Sequence, residues 1–231
     1  MSTKAATEQS SAARGIVRVG AVSFANTLPL IDGLQSLCDI SIQHSVPSLL
    51  LDQLLNQQAD LALCSSIDYQ RSPEPLWIVP VGVLGCRGQT LTVRLYARVP
   101  IKEIQRVYCD TDSHTSVALM QIILRERYGV EPEIVDYDAR EHVAENRPID
   151  WPEAMLLIGD KVVTDSPPAV RYPHQLDLGH EWREHTDLPF VFATWMARRD
   201  ADASIIRAGA AALDRQRRHN MHRLEELVHT A

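Results

Sequence analysis

Three clusters of short polar side chains in this chain have the chemistry to hold a small anion: Ser23 with Asn26, the pair Ser65–Ser66, and the run Ser113-His114-Thr115-Ser116. Hydroxyls and amides orient a carboxylate or a ring hydroxyl without adding charge of their own. The same residue types close turns and cap helices, so for Ser23, Asn26, Ser65 and Ser66 both readings stand at this stage. In Thr111-Asp-Ser-His-Thr-Ser116 the hydroxyls precede a helical stretch, whose first N–H groups form an anion site by geometry and dipole. A fourth segment, Asp177-Leu-Gly-His-Glu-Trp182 followed by Thr186-Asp-Leu-Pro-Phe-Val-Phe-Ala-Thr-Trp195, holds two of the four Trp and two of the three Phe. Rings beside a Pro that fixes the backbone suit one wall of a small-molecule pocket, with Phe190 and Trp195 as the water-excluding faces. A strand entering a packed core is the competing interpretation.

These groups need a frame, and the chain supplies strands and helices in alternation. Ile16-Val-Arg-Val-Gly-Ala-Val reads as a buried strand and Thr27-Leu-Pro-Leu-Ile-Asp-Gly-Leu as a helix with Pro29 in its first turn. Ile40 to Val46 alternates as a second strand, Pro47 to Asn56 follows at helical spacing, and Ala59 to Cys64 is a third strand ending at Ser65–Ser66. Each polar loop therefore falls at the carboxyl end of a strand, where open α/β sheets bind ligands. Residues 76–98 read as strands that include a crossing between lobes. A second α/β run follows: strand at Val107–Asp110, helix from Ser116 to Tyr128 with Ser113 or Thr115 as N-cap, strands at Glu133–Tyr137 and Ala154–Asp160. Phe190 to Ala197 looks like a return strand, and Ala203 to Val228 is helical by its Ala, Leu and Arg content.

Composition narrows the function classes. The 231 residues are 45% hydrophobic and 23% charged, as in an ordinary soluble globular protein with a full core. A formal net charge of -7 speaks against a nucleic-acid partner. The basic run Arg215 to Arg223 lacks interleaved aromatics and reads as the solvated face of a helix. Met1 to Gly15 is polar and rich in Ser, Ala and Thr; it reads as a disordered lead-in, neither a signal peptide nor a membrane anchor. Cys38, Cys64, Cys86 and Cys109 are scattered, which points to free thiols in a reducing compartment, hence the cytoplasm. Several motifs fail on geometry. His180 and His185 are five residues apart and leave one helix face, and His219 with His222 lacks a third ligand, so no metal is expected. Gly85-Cys-Arg-Gly88 reads as a turn.

The loop and the aromatic block together resemble the chorismate dehydratases of menaquinone biosynthesis, the first enzymes of the futalosine route. The resemblance rests on Ser23/Asn26/Pro29/Leu30 and on Asp177/Leu178/Gly179/Trp182 with Thr186/Leu188/Pro189/Phe190/Val191/Phe192/Ala193/Trp195. Between them Ala59 to Tyr69, Asp110 to Leu119 and Leu156 to Asp160 follow in the family's order, so it runs from about residue 17 to about residue 198. The resemblance implies an α/β, two-lobed, periplasmic-binding-protein-like (type II) fold with mixed sheets and an interlobe cleft. Lobe 1 would comprise residues 16–95 and 190–231, and lobe 2 residues 96–189. It implies cofactor-free loss of water from chorismate by a lyase, in a monomer or homodimer that binds a small carboxylate and neither nucleic acid nor membrane. Asn26, Ser23 and Thr92 are then the expected catalytic residues, and Ser65, Ser66, Ser113, His114, Thr115, Phe190 and Trp195 the expected substrate contacts.

Four departures from the family pattern keep a second reading open. Thr92 stands where Ser is common, His114 where Arg is common, Asp187 where the Thr-Gly-Leu-Pro-Phe block has Gly, and the sequence stops earlier than the family pattern leads one to expect, with one long terminal helix. A non-catalytic cytoplasmic protein of the same fold that binds a small anion is the alternative. A transporter's solute-binding protein is weakened by the polar N-terminus.

Overall fold

The β-branched run Val17–Ala21 forms β1, with Ile40–His44 (β2) and Leu61–Ser65 (β3) parallel to it on either side. This computed structural model describes residues 16–37, 39–138 and 151–230; Met1 to Gly15, read above as a lead-in, and Cys38 lie outside them. The long strands Leu76–Cys86 (β4) and Phe190–Arg198 (β10) complete a sheet of order β2-β1-β3-β10-β4, in which β10 runs antiparallel to both neighbours.

The second sheet repeats the plan. Arg106–Asp110 (β6) lies parallel to Glu133–Tyr137 (β7) and Ala154–Ile158 (β8), while Val93–Ala97 (β5) runs antiparallel to β8 and to His174–Asp177 (β9). Its order is β7-β6-β8-β5-β9. β5 begins at Val93 and belongs wholly to this sheet, so the lobe boundary drawn after residue 95 cuts through a strand. The crossing lies in residues 87–92, between β4 and β5.

Helices cover the sheets where the sequence has apolar residues at helical spacing. Leu28–Ile31 (α1), Leu50–Leu55 (α2) and Asp68–Arg71 (α3) belong to the first lobe, each a short segment led in from the preceding loop. His114–Ile123 (α4) is followed by a wider turn at Leu124–Tyr128 that stops at Gly129, φ 70°. Lys161–Thr164 (α5) and Leu178–Thr186 (α6) flank β9. Ala203–His222 (α7) returns across the first sheet, and Leu224–Thr230 (α8) follows it. Gly209 on α7 has no side chain because a Cβ there would sit 2.5 Å from Leu61 Cδ1, which lets helix and sheet close tightly. In the basic run Arg217 and Arg218 share the Asp214 carboxylate, and Arg223, just past α7, pairs with Glu226. Among the described residues no helix is long and apolar enough to cross a membrane.

Three buried apolar clusters result. Two large cores, one per sheet, are built on β1, β3, β10 and α7 around Leu34, Leu61, Leu63, Trp195 and Leu213, and on β5, β6, β8 and α4 around Leu95, Val107, Met120 and Leu156. A smaller third cluster gathers Tyr137, Trp151 and Tyr172 around Tyr96, Met155 and Leu157, the alternate residues of β5 and β8. Phe24 packs against both large cores, so the loop after β1 bridges the two lobes.

Candidate active site

A cavity of about 440 Å³ opens between the two sheets, within the size range of small-molecule sites. The first lobe contributes Val22, Phe24 and Asn26 from the loop after β1, Ser65 from the end of β3, and Phe192 and Ala193 from β10. The second contributes Thr92, Ser113, Ser116 and Gly159. Gly159 stands at φ 68°, and a Cβ on it would lie 3.2 Å from the Phe24 ring, so a glycine is what permits the lobes to meet there.

Thr92 is placed by the crossing segment, and that segment is held by Asp177. This carboxylate, 8% exposed, accepts from the backbone N–H groups of Thr90 (2.9 Å), Leu91 (2.8 Å), Gly179 (3.1 Å) and His180 (3.1 Å). It therefore caps α6 and pins the crossing at once. Leu91 is kept at φ 63°, a conformation an ordinary residue rarely adopts. Gly179 completes the joint: a Cβ there would meet Cys86 Sγ, Gly88 O and Thr90 Cγ2, each at 2.5 Å. The Asp-Leu-Gly motif is thus a strut behind the cavity.

Ser113 caps α4, its Oγ accepting from Ser116 N at 3.2 Å and donating to Ser116 Oγ at 2.9 Å. The Ser116 hydroxyl proton is then available to a ligand, as are N–H groups of the first turn. The next two residues turn away and join the lobes. His114 Nδ1 lies 2.8 Å from Oδ1 of Asp68, which is 1% exposed, and Thr115 Oγ1 accepts from Ile67 N at 3.3 Å. Ser66 Oγ donates to Val191 O at 2.8 Å and lies 3.4 Å from Thr115 Oγ1. The Asp68 hydrogen bond raises the His114 pKa above its ordinary value, against a smaller opposing effect of burial.

Of the residues singled out from sequence, Asn26, Ser65, Thr92 and Ser113 come together around the cavity. Ser66, His114 and Thr115 form the interlobe contact instead, and Ser23 is exposed outside the lining. Trp195 is 1% exposed inside the first core, because β10 pairs with both β3 and β4 and buries that ring between its neighbours. Phe190 stacks edge-on between Trp182 (5.2 Å) and Phe192 (4.7 Å), and it is Phe192 that reaches the cavity. Asp187, in the position of the expected Gly, ends α6 in a left-handed conformation, φ 60°, with Arg183 bonding its carbonyl and carboxylate. Asp tolerates that conformation better than most residues, at some cost relative to Gly.

Sequence reasoning missed Phe24, Arg87, Gln89 and Phe192, all of which line the cavity, whereas Ser116, part of the run read as an anion site, lines it as expected. Phe24 sat inside a motif already singled out; Arg87 was hidden in a segment that reads only as a turn. Cys86 also lines the cavity, but burial, reinforced by the Asp177 charge, raises its pKa and keeps it a thiol. Behind the start of α4, Lys161 lies between Asp110 (2.5 Å) and Asp112 (2.9 Å), a mostly buried cluster that holds the turn leading into Ser113.

Residues 17–231 match the profile of a family described as menaquinone biosynthesis. A chorismate dehydratase from Thermus thermophilus is 31% identical over 224 residues, covering 91% of this chain and 79% of that protein. Among solved structures, protein AF1704 from Archaeoglobus fulgidus superposes with a TM-score of 0.71 at 16% identity, over 93% of this chain and 80% of that one. The periplasmic aliphatic sulphonate binding protein SsuA from Escherichia coli gives 0.60 at 18% identity, over 93% and 76%. Both structural likenesses speak for the fold alone, which is periplasmic-binding-protein-like.

Proposed function

The chain belongs to the menaquinone-biosynthesis family, and on that footing we propose that it dehydrates chorismate to 3-[(1-carboxyvinyl)oxy]benzoate, as a lyase of the futalosine route. The observation that carries this reading is the extent of the likeness to a chorismate dehydratase, 31% identity over 91% of the chain, joined to a ligand-sized cleft between the lobes.

The reaction removes a ring proton and expels a hydroxyl, and aromatisation drives it. The described lining is hydroxyl, amide, thiol, guanidinium and hydrocarbon, so the protein's contribution is placement of the substrate among oriented polar groups. In this proposal Asn26, Ser65 and Thr92 orient the ring hydroxyl and a carboxylate, and Ser116, held by the Ser113 hydroxyl, presents its own hydroxyl proton at the α4 terminus. Phe24 and Phe192 form the apolar face. A carboxylate of the substrate itself accepts the ring proton. Free thiols at Cys64, Cys86 and Cys109 support a cytoplasmic setting.

Incubation of pure protein with chorismate, followed by mass spectrometry, tests the proposal. Loss of one water with an aromatic product is the expected result, and binding without conversion would overturn it.

A further inference from the structure

We propose that Arg87 is the cation that receives a substrate carboxylate in the cleft, an assignment that rests on the dianionic ligand of the reading above. Among the described residues that line the cavity, Arg87 alone carries a formal charge. It is exposed, and the described residues supply no carboxylate within ion-pair distance of it. Other arginines around the joint are engaged: Arg94 lies 3.9 Å from Asp177, Arg127 2.8 Å from Glu181 and Arg183 2.6 Å from Asp187.

The backbone at Arg87 is fixed although its side chain has no partner among the described residues. Gly85 lies where a Cβ would sit 2.7 Å from Phe190 O, and Gly88 takes φ 110°, so the chain makes a tight exit from β4. Cys86 packs on Gly179, and two residues beyond Gly88 the Asp177 carboxylate holds Thr90. A guanidinium on a fixed backbone, lining a cavity whose other described residues are neutral, is suited to a bidentate carboxylate contact. It also answers an electrostatic problem, since a protein of net charge -7 has to admit a dianion. Ser116, whose hydroxyl proton is left free by Ser113, lies on the second lobe's side of the same cavity and can serve the other carboxylate.

Calorimetric titration of the wild type, Arg87→Met and Arg87→Lys with chorismate and with the unreactive dicarboxylate isophthalate tests the assignment. Arg87→Met should bind both anions about tenfold to a hundredfold more weakly, the range for loss of a charge-assisted hydrogen bond. Its KM should rise more than its kcat falls, its melting temperature should not change, and Arg87→Lys should recover part of the affinity. Affinity within about twofold of wild type in Arg87→Met, or no anion bound by the wild type, would overturn the assignment. Chorismate held through Arg87 but never dehydrated would support it while sinking the dehydratase reading.

Discussion

His114 Nδ1 on α4 lies 2.8 Å from Asp68 Oδ1 on α3, so one ion pair ties the second lobe to the first beside the cavity. The imidazole is 39% exposed and the carboxylate 1%. Hydrogen bonding to Asp68 raises the His114 pKa above 6.5; burial and Arg71 oppose that shift, and the Asp68 and Asp52 charges reinforce it. The contribution of this pair to stability is therefore complete below about pH 6.5 and fades as pH rises through the raised folded-state value. His114→Ala should lower the melting temperature more at pH 6 than at pH 8.5, and His114→Arg should flatten that dependence. An equal loss at both pH values in a thermal melt would refute the charged pair.

Asp177 should behave as the strut of the crossing segment. Asp177→Ala leaves the N–H groups of Thr90, Leu91, Gly179 and His180 without their acceptor and should cost about 3 kcal/mol or more, at about 1–3 kcal/mol per orphaned buried donor with partial rescue by water. Asp177→Asn keeps one acceptor oxygen and should lose less. Gly179→Ala drives a methyl into Cys86, Gly88 and Thr90 and should cost about 1–3 kcal/mol. Denaturant titrations of the three variants check the order.

Asn26 and Thr92 should affect turnover and leave folding alone. Loss of a polar contact made in the transition state costs about a hundredfold or more in rate, which is the effect expected for Asn26→Ala. Thr92→Ser should stay active and Thr92→Val should not. Normal rates in Asn26→Ala with an unchanged melting temperature would reduce Asn26 to a turn residue.

Lys161 stands between Asp110 and Asp112, 2.5 Å and 2.9 Å from their carboxylates. Burial raises the Asp110 pKa, and Lys161 holds it back. Lys161→Met should cost about 3–5 kcal/mol at neutral pH, as for other broken buried pairs. Because a buried carboxylate with a raised pKa favours the protonated form, the variant should regain stability as pH falls from 7 towards 5. A stability that drops across that range would show that the cluster is not limiting.

Asp187→Gly should stabilise the protein by about 0.5–1 kcal/mol, because Gly adopts φ 60° without the steric cost that Asp bears. The exposed ion pair with Arg183 that this change removes is worth little. Calorimetric melts of the two proteins decide it.

The order and type of nearly every strand were legible in the amino-acid sequence, because period-two and buried β-branched runs reflect local geometry. Local pattern also located the polar loops at strand ends, and with them Asn26, Ser65 and Ser113 in the cavity. The helix cap at Ser113 was legible for the same reason: a hydroxyl before a helix satisfies an N–H three residues on. Folding in three dimensions settled which side chains of a motif face the ligand. Trp195 and Phe192 lie three residues apart, so alternation puts them on opposite faces, but which face meets the core and which the cavity was decided by the pairing of β10 between β3 and β4. Asp177 reads as part of a pocket wall in the sequence because its four N–H partners come from two segments far apart in the chain. His114 reads as a ligand contact because its partner Asp68 belongs to the other lobe. Long-range pairing of this kind leaves no periodicity in the sequence, and Arg87 acquired its position only when the crossing segment was folded against the Asp177 joint.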